Sequence, residues 1–164
     1  MRFCCLSGLR YKDFPFDIEK DLTAVERYRK ALRDKLIHVI NEYGITHFVT
    51  GLASESDIDF AETVLSLRDD ESFAVSLECI VLGTAQFKNL NDEGIFRHNS
   101  VLIRADRRMK LSSRYLLRRR YKRDISMLCR SDVLLSVVCG NKSNVLTDFA
   151  RKKSIPVETI DISE

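Results

Sequence analysis

No stretch of this 164-residue chain is apolar for long enough to cross a membrane, which excludes a helical membrane protein. Proline and glycine are scarce, with two and six residues. There is no internal repeat, no low-complexity segment and no linker-like stretch, so nothing divides the chain into separate units. No cysteines are spaced as CxxC, and their total of five is odd. Cys4, Cys5, Cys79, Cys129 and Cys139 therefore read as free thiols of a reducing compartment, not as disulfides or a zinc site. A redox role for Cys139, beside the last glycine turn, is the lesser alternative. The chain opens almost at once on the apolar run RFCCLS, which leaves no room for a cleaved signal peptide. A cytoplasmic protein with no membrane partner, no metal site and no resident cofactor is expected.

What is present suits one soluble domain with a sizeable core: 45% hydrophobic and 31% charged residues. The net charge of +3 is unevenly spread. Residues 1–96 carry 11 basic and 17 acidic side chains, and residues 97–164 carry 16 and 7. Between Arg97 and Arg123 there are 11 basic residues against the single acid Asp106. Such an asymmetry attracts anionic partners.

The few glycines fall at telling places. Gly8 follows RFCCLS, Gly51 follows THFVT, Gly83 follows FAVSLECIVL and Gly140 follows DVLLSVVC, so four of the six close apolar, β-branched runs. After Gly140 the polar turn NKSN leads into the amphipathic VLTDFARKK and then into SIPVETIDI. Strand, glycine turn, helix and strand make a βαβ unit with parallel strands. Ligands of such units bind beyond the carboxyl ends of the strands, beside the helix N-terminus.

Taken in order, residues 2–7 predict a central strand, and Pro15 keeps Phe14 out of a helix. Residues 20–43 predict a long helix with Leu22, Val25, Arg29, Leu32, Leu36, Val39 and Tyr43 on one stripe and Gly44 as its terminator. His38 on it has no paired acid or nucleophile. A second strand covers 46–50. Ser54 then caps a helix whose Asp57 makes a variant capping box and whose Ile58, Ala61, Val64 and Leu65 face inward. A third strand runs from about Phe73 to Leu82. Residues 92–104 predict a helix with Ile95, Phe96, Asn99, Leu102 and Ile103 inward, and 105–112 a connection. Residues 113–130 predict a helix burying Leu117, Tyr121, Ile125 and Leu128, with Arg118, Arg119, Lys122 and Arg123 largely elsewhere. With the last βαβ unit this amounts to an α/β fold: a Rossmann-like open, mainly parallel sheet of about five strands with helices on both faces, one domain over 1–164.

The segment GLASESDIDFAETVLSLR, with Gly51, Leu52, Ala53, Asp57, Ala61 and Glu62, resembles the second strand–turn–helix of the YpsA-like family in the SLOG superfamily. Ala105, Asp106, Tyr115, Arg123, Met127, Ser131, Asp132 and Gly140 match that family's later pattern in order and spacing. The resemblance implies a Rossmann-like domain that binds a nucleotide or nucleotide-derived ligand, linked to Gram-positive cell division or stress regulation. Related branches are the Lonely-Guy phosphoribohydrolases and the DprA single-stranded DNA binders. The first turn departs from the family's Gly-His-Arg, reading Gly8-Leu9-Arg10. Arg-Asn has become Arg123-Asp124. In the phosphate turn of the enzymes, the threonine is Ser143, an inner glycine is Lys142 and the catalytic glutamate is Leu146, which can do no acid–base work.

The expected function is non-catalytic binding or sensing of a phosphate-bearing, nucleotide-like ligand. Gly140, Asn141, Lys142 and Ser143 would hold the phosphate at a helix N-terminus. Gly8, Arg10, Gly51, Asp57, Glu62 and Arg123 would complete the pocket. Each has a plainer reading. Arg10 is otherwise a surface arginine, Asp57 and Glu62 otherwise serve the helix dipole, and the glycines otherwise make short turns around a decayed pocket. The alternatives are a phosphoribohydrolase-type enzyme with Asp57 or Glu62 near the ribose, and a binder of single-stranded nucleic acid or an acidic protein through 97–123. In the latter Arg114, Arg118, Arg119, Lys122 and Arg123 alternate with Tyr115 and Tyr121, although the tyrosines also fit an inward face. A homo-oligomer is compatible with all of these.

Overall fold

The computed structural model describes residues 1–111, 116–141 and 144–163. In chain order Phe3–Ser7 forms β1, Leu22–Tyr43 α1, His47–Thr50 β2, Glu55–Asp69 α2, Ser76–Val81 β3 and Asp92–Arg104 α3. Arg107–Lys110 forms β4, Leu116–Cys129 α4, Val133–Val138 β5, Val145–Lys152 α5 and Val157–Asp161 β6. The six strands form one parallel sheet in the order β4-β3-β2-β1-β5-β6. The chain winds outward from β1 to β4, then returns to lay β5 and β6 on the other side of β1.

Alternation along the strands sorts the core into two layers. Cys4 and Leu6 of β1 pack with Leu32, Leu36 and Val39 of α1, Ile58 and Phe60 of α2, and Val101 of α3. Cys5, between them, faces the opposite side with Met127 and Leu128 of α4 and Ala150 of α5. β1 is thus covered on both faces, as its unbroken apolar run requires. Its thiols are free, and burial pushes that of Cys5 up to about 12. Among the described residues no helix is long and apolar enough to cross a membrane.

The expected caps form. Gly44 ends α1 at φ 63°. Ser54 and Asp57 make a reciprocal capping box at the start of α2.

The open parallel sheet forms as expected, and the local expectations for residues 105–112, α1, α3 and α4 are corrected. The sheet has six strands because the segment read as a connection contains β4. Its residues, RRMK, are all exposed and show no apolar alternation. The strand forms because β3 offers it an edge, with Glu78 opposite Arg107 and Val81 opposite Lys110. Along α1, Leu22 is exposed and Tyr28 is buried. On α3, Phe96 and Ile103 point to solvent at 72% and 75% exposure, Asn99 is exposed too, and Gly94, His98 and Val101 face inward. Arg97 fixes that rotation. Its guanidinium reaches Asp59 at 2.6 Å and Glu62 at 2.6 and 2.9 Å on α2. Residues 94, 97, 98 and 101 share one helical face.

α4 is rotated likewise. Arg123, Met127 and Leu128 are buried, while Tyr121 is 52% exposed. Tyr121 therefore is not a core residue. The placements expected for Arg114, Tyr115, Lys142 and Ser143, and for the side chains of Leu117 and Arg119, lie outside what is described.

Candidate ligand-binding site

The strand order reverses at β1, between β2 and β5, and in open parallel sheets the crevice beyond such a point is where ligands bind. A cavity of about 350 Å³ lies there. It is bounded by the turn after β1, the turn after β2, one face of α4 and Leu146 of α5.

Two glycines allow these walls to meet. A Cβ on Gly8 would lie 2.3 Å from Ser56 Oγ and 2.8 Å from an Asp57 carboxylate oxygen. That closeness is used: Ser56 Oγ accepts from Leu9 N–H and donates to Leu9 C=O, both at 2.7 Å, fastening the first turn to α2. A Cβ on Gly51 would lie 2.6 Å from the Arg123 guanidinium carbon. Arg123 donates to Gly51 C=O at 3.3 Å and to Asp124 at 2.9 Å, so a buried cation is neutralised where it stands.

Asp57 holds the second turn together. Its Oδ2 accepts from Ala53 N–H at 2.8 Å and from Ser54 N–H at 2.9 Å. Burial pushes its pKa up to about 6, against the opposing pull of Arg123 and of those amides. The amides that an anion would seek at the α2 N-terminus are thus already taken by the protein's own carboxylate. The Asp124 carboxyl is also pushed upward by burial, opposed by Arg123.

Of the residues picked out in the sequence, Gly8, Arg10, Gly51, Asp57 and Arg123 meet in this cavity. Glu62 is elsewhere, paired with Arg97. Gly140, at φ 65°, ends β5 and donates to Asp161 at 3.0 Å; neither it nor the exposed Asn141 lines the cavity. The last turn still reaches the site through Asn144, which caps α5 and donates to Ser7 Oγ at 2.9 Å. Lys142 and Ser143 lie outside the described residues.

Lys12, Asp13, Arg120 and Asp124 also line the cavity and were not singled out. The signal for two of them was present: residues 120, 123, 124 and 127 recur at helical spacing, so a buried Arg123 brings Arg120 and Asp124 along. Arg10, Lys12 and Arg120 form no ion pair with a described residue. The cavity thus offers the cations Arg10, Lys12 and Arg120, the last of them acting electrostatically on Asp124, together with the exposed Asp13 and the more buried Asp57 and Asp124. No cluster of His, Cys, Asp and Glu among the described residues could hold a metal ion.

The sheet order and the placement of this cavity define a Rossmann-like α/β protein. No protein-family model and no curated protein matches the chain.

Proposed function

We propose that this chain is a non-catalytic binding or sensing domain for a small, phosphate-bearing, nucleotide-like ligand, of the YpsA-like SLOG type and acting in the cytoplasm. The reading is carried by Arg10, Lys12 and Arg120 converging on one cavity at the carboxyl ends of β1 and β2. Its volume of about 350 Å³ falls within the range of small-molecule sites. Asp13 and Asp124 supply acceptors for sugar hydroxyls. Leu146 lines the cavity, and by the resemblance to the SLOG enzymes it stands in place of their catalytic glutamate, which favours binding without turnover. Asp57, the buried acid of this cavity, is committed to two backbone amides.

The test is calorimetric titration with AMP, ADP, cyclic nucleotides and ADP-ribose. One of them binds, and replacing Arg10 and Arg120 together with alanine weakens it at least roughly tenfold, each lost charged hydrogen bond being worth about 1.5–3 kcal/mol. A panel with no binder defeats the proposal.

A second reading has one observation in its favour. Tyr121 is 52% exposed, and its neighbours Arg118, Arg120 and Lys122 are exposed as well. An exposed aromatic among cations is a stacking platform for single-stranded nucleic acid. Affinity for an oligonucleotide that falls steeply with salt would favour this reading.

A further inference from the structure

The buried Asp57 stands in the wall of the cavity at the carboxyl ends of β1 and β2, and its two oxygens meet different surroundings. Oδ2 accepts from the Ala53 and Ser54 amides. Oδ1 accepts from no described residue. It lies 2.8 Å from the point a Cβ on Gly8 would occupy, and Ser54 Oγ lies 2.8 Å from the same point. Gly8, Ser54 and Asp57 all line the cavity, so the missing side chain leaves a polar recess in its wall.

This arrangement decides where a proton on the carboxyl goes. On Oδ2 it would meet two N–H donors; Oδ1 is open to it. Ionised, Asp57 is an acceptor only and repels an anion brought into the cavity. Neutral, it keeps both amides through Oδ2 and presents Oδ1–H as a donor. Burial pushes the pKa to about 6 against the pull of Arg123 of α4 and of the two amides, and Asp124 of α4 adds to the push. Burial keeps Cys5 of β1 and Tyr28 of α1 neutral beside it. Arg10, Lys12, Asp13 and Arg120 stand on the other walls of the cavity.

We propose, resting on the phosphate-binding reading of this cavity, that the anion is taken up together with a proton from solvent, which Asp57 carries on Oδ1 and donates to a phosphate oxygen. The site therefore fills more readily as its surroundings turn acidic. Arg10, Lys12 and Arg120 supply charge at every pH of interest, and Asp57 supplies the dependence on pH.

Carboxyl-carbon NMR of Asp57, followed against pH in the full chain with and without saturating AMP, tests it. With AMP the midpoint moves up by about one unit or more, the equivalent of a tenfold or greater preference for the neutral form. Asp57→Asn keeps an acceptor for the two amides and sets an N–H donor where Oδ1 stood. It binds AMP roughly tenfold or more tighter than the parent at about pH 7.5, where few parent molecules are neutral at this position, and equally at about pH 5.5. Titration of the AMP phosphate is common to both proteins and cancels in this comparison. A midpoint that stays or falls while AMP binds, or equal affinities at both pH values, would overturn the proposal and leave the cavity's role intact. Binding of AMP to neither protein would sink both.

Discussion

Gly8 and Gly51 are the residues on which the site's shape turns. Neither has a left-handed backbone; each is required because another side chain occupies the space a Cβ would fill. Gly8→Ala forces apart the first turn and Ser56 and is expected to lower stability by about 1–3 kcal/mol in chemical denaturation, the usual cost of overpacking. A change below a few tenths of a kcal/mol would show that the turn is looser than described. The sequence located both glycines, since each closes an apolar run. It could not show that an arginine seventy residues away lies against the second. Asp57 makes a pH-dependent prediction. Its folded pKa of about 6 lies above the ordinary 3.8, so between those values the folded state holds more protons than the unfolded state. Stability therefore falls as pH rises through about 4 to 6, by roughly 2–3 kcal/mol for this group alone. Asp57→Asn should flatten the slope in that window; an unchanged slope would mean that Asp57 titrates normally.

At the scale of the element, the α2–α3 tie shows where sequence pattern misleads. The apolar spacing of Ile95, Phe96, Leu102 and Ile103 suggested an inward stripe, yet Arg97, bound to Asp59 and Glu62, turns Phe96 and Ile103 to solvent. An ion pair across 35 or more residues leaves no periodic signature. Arg97→Ala strands the buried Asp59 with only tyrosine hydroxyls and is expected to cost about 3 kcal/mol or more in unfolding free energy. Phe96→Ser, by contrast, should stay within roughly 0.5 kcal/mol of the parent. The opposite ranking would restore the inward stripe. α4 was misread for the same reason, its buried face being built around Arg123 and Asp124 and not around Tyr121. Caps were easier to read, because Ser54 and Asp57 lie three residues apart and act locally. β4 was invisible: four exposed residues acquire their strand from a neighbour's edge.

For the whole molecule, the alternation of β-branched runs with amphipathic segments was enough to indicate a parallel α/β sheet, because a helix-bearing connection of a dozen or more residues is what joins parallel neighbours. The order of strands places the turns after β1 and β2 beside the face of α4, and so brings Arg10 and Lys12 to Arg120 across more than a hundred residues. Five of the ten residues singled out in the sequence meet there; Glu62 was drawn off by Arg97. The basic excess of the second half is spread over α4 and the exposed edge β4, and among the described residues only Arg120 and Arg123 of it line the cavity.

The account stands or falls on whether the cavity at the carboxyl ends of β1 and β2 takes a phosphate-bearing nucleotide. The direct measurement is calorimetric titration of AMP into the intact chain and into Arg10→Ala/Arg120→Ala. The account predicts saturable one-site binding in the parent, weakened at least about tenfold in the double variant while its thermal midpoint without ligand is unchanged. No binding by the parent, or equal binding by both proteins, would contradict it.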